Sequence, residues 1–231
     1  MKKMIISFAV FFAVASCFAQ DKSIAHSINK AAWEEEISPE VMAEMGIEYP
    51  IFKVFQYEDL KGEAMIVLTE NNVSKNSKGE PVNTAISAFL LRGSNGNFTK
   101  EWENSHDISK DAQSESSIWY WSKYFDCMDV DNDTESETFL VFGTAGDNGF
   151  DDGRVFIEIY YEGKLISIEH QNAVKDMDRI LLISPDFYKL PGVVQEKAKY
   201  KMKQMVTAKQ AIFPNNWEQK MAAKKTEIRE R

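Results

Sequence analysis

A mainly β, α+β fold is predicted for this chain: an antiparallel β-meander with short helices before it and a long amphipathic helix after it. Three observations predict it. Short runs rich in aromatic and β-branched residues fill the middle of the sequence. Turn-forming residues separate them at hairpin distance, which favours antiparallel neighbours over a βαβ order. An apolar stripe at helical spacing follows the last run.

The elements follow in order. Ser27 to Glu36 and Pro39 to Met45 read as short helices, with Ser38 placed to cap the second ahead of Pro39. Eight strand-like runs come next: Ile51 to Tyr57, Ala64 to Thr69, Thr84 to Leu91, Ile118 to Val130, Thr138 to Phe142, Arg154 to Tyr161, Leu165 to Glu169 and Arg179 to Ser184. Asn76-Ser77-Lys78-Gly79, Ser94-Asn95-Gly96-Asn97 and Glu162-Gly163-Lys164 supply hairpin turns between them. Val194, Ala198, Met202, Met205 and Val206 then recur as one face of a helix, with Lys197, Lys199 and Lys203 elsewhere on it, so the stripe is expected to lie on the sheet.

Composition agrees with a globular chain of one domain or two small ones. The chain has 231 residues, 44% hydrophobic and 27% charged, and its 11 Gly and 6 Pro are too few for a collagenous or low-complexity chain. Two cysteines exclude a disulfide scaffold or a zinc-ribbon array. Lys2 and Lys3 precede an apolar stretch from Met4 to Ala15 and then small residues, the layout of a secretory signal. Cleavage before Gln20 suits ordinary signal peptidase; Val14-Ala15-Ser16-Cys17 also fits a lipobox, with Cys17 carrying a lipid anchor. The expected division is residues 1–19 as signal peptide, 20–190 as a β-rich domain with N-terminal helices, and 191–231 as a basic C-terminal helical segment. Export to the periplasm, outer membrane or cell surface follows, with no transmembrane span. Cys127 would be the one cysteine left after cleavage before Gln20, and it reads as a small buried hydrophobe.

Charge narrows the partners. Residues 101–152 carry 14 Asp and Glu against two lysines, whereas residues 193–231 carry 10 Lys and Arg against four Glu. An acidic body repels phosphates, so nucleic acid is not an expected partner. The sharpest local pattern is Asp129-Val130-Asp131-Asn132-Asp133-Thr134-Glu135-Ser136-Glu137. Asp129, Asp131, Asp133 and Glu137 occupy alternate positions of a tight loop, as a hard cation such as Ca²⁺ requires of its oxygen ligands. An EF-hand would want a helix on both sides and glutamate where Leu140 stands, so the loop fits a short inter-strand calcium turn better. Thr134 sits where glycine is usual. The other reading is an acidic turn whose carboxylates bond loop amides.

Asp59-Leu60-Lys61-Gly62-Glu63 and the strand after it match Asp133 to Glu137 and its strand at an offset of 74 residues, a faint repeat compatible with blade-forming meanders. Gly62 to Glu70, the Glu101-Trp102 strand and the acidic loop leading into Thr138 to Phe142 resemble a family of exported Bacteroidota proteins labelled surface polysaccharide biosynthesis proteins. The resemblance spans roughly residues 50–170. It implies a place in surface polysaccharide metabolism and carries no catalytic residue across; Thr134 and an inserted loop from Gly143 to Gly153 depart from its pattern.

Other chemistry finds no complete motif. The glycines of the 143–153 loop precede a strand, not a helix N-terminus that could hold phosphate, so that loop reads as a hairpin tip. Glu169-His170 lacks the second histidine of a helical zinc site, and no Gly-x-Ser-x-Gly elbow is present. Trp119, Tyr120, Trp121 and Tyr124 form an aromatic run. On one continuous strand, Trp119, Trp121 and Phe125 would face one side and Tyr120 and Tyr124 the other. An exposed set would stack on sugar rings; a fully covered run would be core. Two functions stay open: a noncatalytic exported module, Ca²⁺-stabilised, that binds a glycan or an envelope partner, and a hydrolase or transferase acting on surface polysaccharide through paired carboxylates.

Overall fold

Alternating apolar residues give each strand two faces, and here both faces of two sheets are apolar, so the chain must cover four surfaces. The computed structural model describes residues 24–77, 79, 81–110, 115–146 and 148–230. The expected signal peptide and the Cys17 anchor lie outside these residues.

The elements are β1 (His26–Ile28), α1 (Lys30–Glu36), α2 (Pro39–Met45), β2 (Ile51–Asp59), β3 (Gly62–Glu70), β4 (Ser74–Lys75), β5 (Pro81–Val82), β6 (Ala85–Ser94), β7 (Asn97–Asp107), β8 (Ser117–Tyr120), β9 (Asp126–Met128), β10 (Glu137–Ala145), β11 (Arg154–Tyr161), β12 (Lys164–Gln171), β13 (Ile180–Ile183), α3 (Gly192–Thr207), α4 (Trp217–Ala222) and β14 (Glu227–Arg229). Strands β1-β2-β3-β6-β7 make a first sheet and β14-β13-β12-β11-β10-β8 a second, with β9 also on β10 and a small β4-β5 hairpin apart. The pairs within both sheets are antiparallel, as the turn chemistry requires.

The sheets pack face to face through Phe55, Ile66, Leu68 and Leu90 of the first against Leu140, Phe142, Phe156 and Tyr160 of the second. Val41 and Met45 of α2 cover the outer face of the first sheet, over Val54, Val67 and Phe89. Val194, Ala198, Met202 and Met205 of α3 cover the outer face of the second, over Phe139, Val141, Ile157 and Ile168. The order of layers is helix, sheet, sheet, helix. No helix among the described residues is long and apolar enough to cross a membrane.

The repeat at offset 74 takes structural form. In each half, a central strand (β3, β10) pairs earlier strands on one side (β2; β8 and β9) and one later strand on the other, and a two-residue hairpin leads on to the next. Both hairpins turn through two residues of positive φ, Asn95-Gly96 and Glu162-Gly163, the backbone of a type I′ turn. Lys61 and Glu135, which the offset makes equivalent, touch at 2.7 Å. The two meanders therefore face each other as layers.

Several expectations are corrected. The first helix starts at Lys30, because Asn29 takes the capping position and accepts the Ala32 N–H, and residues 26–28 pair with β2 instead. The long run from Ile118 is broken after Tyr120 by a 3₁₀ turn at Ser122–Tyr124. Val206 is 43% exposed, one residue past the covered stripe, while Lys201, seven residues after Val194, falls inside it. That buried ammonium is held by Asp126 and the Tyr124 carbonyl. Strand β7 is not among the eight runs read from pattern, where only Glu101-Trp102 within it is read as a strand, since it is an edge strand with mostly polar, partly exposed residues.

Candidate functional site

Two features carry chemistry, and they sit at opposite ends of the sandwich. The acidic loop leads into the start of β10, whereas a cleft opens at the end of that strand, about 26 Å away at roughly 3.3 Å per residue.

In the acidic loop, Asp129, Asp131 and Glu137 each offer an oxygen, and these lie within 4.8 Å of one another. Asp133, expected to join them, stays outside the group; its carboxylate accepts the Glu135 N–H at 2.8 Å and is exposed. Asp129 accepts the N–H groups of Asn132 and Thr134, and Asp131 accepts the Asp133 N–H and the Tyr161 hydroxyl. Glu137 is 2% exposed and accepts the Val130 N–H at 2.6 Å. Burial, with Asp131, Asp133 and Asp129 alongside, pushes its carboxyl up to about 7. Thr134 holds φ +83°, the left-handed backbone for which glycine is usual. Three carboxylates of hard-oxygen type suit Ca²⁺, with its remaining ligands drawn from backbone carbonyls and water.

The cleft, about 990 Å³, is lined at the ends of β2, β3, β8 and β10. Trp119 is half-buried on its wall and meets Phe150 edge-on, ring centroids 5.0 Å apart. Phe150 and Phe52 are 40% and 45% exposed there. Glu70 is buried at the cleft, its two oxygens accepting the Tyr120 N–H at 3.2 Å and the Asn83 amide at 2.9 Å. Burial raises its pKa, against the pull of those two bonds.

No family model, curated protein or solved structure matches this chain. The geometry must speak for itself.

Of the aromatic run, the structure leaves only Trp119 with a partly exposed ring in the cleft. Tyr120 touches the cleft but is buried between the sheets, edge-on to Phe142. Trp121 and Tyr124 both lie in the outer core of the second sheet, because the 3₁₀ turn rotates Tyr124 to the side Trp121 already occupies. Phe125 goes to the other side and stacks on Phe55 at 3.7 Å. Sugar stacking by Tyr120, Trp121 and Tyr124 is thereby excluded by burial.

Phe52, Glu70, Asn83 and Phe150 were missed as site residues. No sequence motif joins them, since the cleft assembles from four strand ends; Phe150, an aromatic at a glycine-rich hairpin tip, was the one readable signal. The buried Glu158 and His170 are satisfied structurally. Glu158 meets His106 Nε2 at 2.9 Å and Asn104. His170 Nδ1 pairs with the Ile180 carbonyl and Nε2 with Asn172, and burial brings its pKa down to about 4. Cys127 is buried, and burial pushes its thiol up to about 12, which disfavours the reactive thiolate.

Proposed function

We propose that this chain is an exported, noncatalytic module of the cell envelope that binds a glycan in its cleft and is stabilised by Ca²⁺ on its acidic loop. The observation that carries this reading is the gathering of Trp119, Phe52 and Phe150 around one concave site. Aromatic faces beside neutral polar groups are the chemistry that holds pyranose rings. The resemblance to exported surface polysaccharide proteins supports the same partner class.

Two-carboxylate glycoside cleavage needs an acid and a second carboxylate across the bond. Among the described residues, Glu70 alone of the carboxylates lines the cleft, and its two oxygens already accept protein N–H groups. That favours binding over hydrolysis. The calcium ion, at the far end of β10, would act on stability and not on the bound sugar.

Native electrophoresis in gels cast with surface polysaccharide from the producing cells tests the reading. The wild-type chain should be retarded and Trp119→Ala should run freely. Equal mobility of the two, with and without polysaccharide, would overturn it.

A further inference from the structure

The cleft's hydrogen-bonding groups and charges say more than that a sugar fits. Ser117 Oγ accepts the Asn83 N–H at 3.2 Å and keeps its own proton to donate. Ser116 Oγ donates to the Ala145 carbonyl and keeps its lone pairs. Asn72 donates through its amide nitrogen to the Glu70 carbonyl and keeps its side-chain oxygen. These are neutral groups that together offer a donor on Ser117 and acceptors on Ser116 and Asn72, a set that sugar hydroxyls can answer.

No lysine, arginine or histidine stands among the described lining residues, and the one carboxyl among them is that of Glu70. An acidic sugar entering the cleft would lose water around its carboxylate and gain no counter-charge. It would also approach Glu70 in a protein whose net charge is −9, which repels anions before contact. A phosphate-bearing ligand meets the same obstacle.

Resting on the glycan reading above, we propose that the cleft selects uncharged sugar units, seated on Trp119, Phe52 and Phe150, and rejects uronates and other acidic sugars. The selection is made by the lack of cations among the described lining residues as much as by the rings. An uncharged hexose keeps its CH face for the aromatic wall and its hydroxyls for Ser116, Ser117 and Asn72.

Matched pairs of oligosaccharides separate this proposal from the reading beneath it. Galacto-oligosaccharides are arrayed beside oligogalacturonides, gluco- beside oligoglucuronides, and manno- beside oligomannuronates, and probed with wild type, Trp119→Ala, Trp119→Phe and Phe52→Ser. Melting curves establish that each variant folds; Phe52 is exposed, so its variant keeps the test valid should Trp119→Ala fail to fold. The expected result is binding to the uncharged member of at least one pair, its uronate bound at least about tenfold more weakly. Trp119→Ala and Phe52→Ser should lose binding, and Trp119→Phe should keep most of it. Uronates bound as tightly as their uncharged counterparts, with loss in Trp119→Ala or Phe52→Ser, would overturn the charge selection and leave the glycan reading standing. Binding to no pair, or binding unchanged in both of those variants, would overturn the reading itself and the selection with it.

Discussion

Thr134 at φ +83° is the residue on which the acidic loop turns, and a β-branched side chain holds that backbone only where its surroundings enforce it. The same loop buries Glu137 beside Asp129 and Asp131, so charge repulsion and strain are stored together. Calcium binding to the fold should release part of that cost. At free calcium about a hundred times the dissociation constant the stabilisation is roughly 2.7 kcal/mol, or about 5–10 °C in Tm for a chain of this size. Asp131→Ala should abolish most of the rise in a thermal scan; equal melting with and without calcium in both proteins would reduce the loop to an acidic turn. Glu137 gives a second, pH-dependent signature. Its carboxyl titrates near 7 in the fold against 4.5 as the ordinary value, so between those pH values the folded state holds more proton than the unfolded. Stability in chelator should therefore fall as pH rises through that window. Glu137→Gln should flatten the slope, measured as Tm against pH. The alternation of Asp129, Asp131 and Asp133 was legible in sequence; which carboxylates converge was not, because Asp133 bonds the chain two residues ahead of it instead.

Strands and helices were legible to the extent that their burial is one-sided or complete. Arg154–Tyr161 and Pro39–Met45 match expectation residue for residue, since hairpin turns, Ser38 and Gly46 mark their ends locally. Most of strand β7 around Glu101-Trp102 escaped because its edge position leaves polar residues acceptable along its length, and the facing of the aromatic run escaped because a single 3₁₀ turn resets it. The cleft was illegible for a further reason: it exists only where ends of separate strands meet. Within β10, Gly143 lies under the Trp121 ring, and a Cβ there would fall 2.4 Å from a ring carbon. Gly143→Ala should cost about 1–3 kcal/mol by overpacking, read as a fall in denaturant midpoint. On α3 the stripe sets a contrast. Met202 is fully buried and Met202→Ala should cost about 2–5 kcal/mol, whereas Val206→Ala, at an exposed position, should change stability by no more than about 0.5 kcal/mol. Equal costs at the two positions would contradict the orientation of the helix.

At the scale of the molecule, the two sheets are built from separate stretches of chain. Residues up to Asp107 make the first sheet with its helices, and residues from Ser117 onward make the second with its own. Pairing runs mostly between sequence neighbours, and the layers meet across the apolar faces that hold Phe55, Leu68, Phe142 and Phe156. Polar contacts also cross between them, among them the Ile24–Met128 bridge, the Ile118 N–H on the Asn83 carbonyl, the Tyr120 N–H on Glu70, Glu158 with His106 and Asn104, and the Lys61–Glu135 ion pair. One covalent passage, between 107 and 117, joins two stretches that each need the other to cover an inner face. The chain should therefore behave as a natural split protein. Expressed as two polypeptides divided within that passage, neither piece should stay soluble by itself, because its inner sheet face would stand open to water. Co-expressed, they should assemble into a heterodimer whose melting temperature climbs with protein concentration, as a bimolecular equilibrium demands.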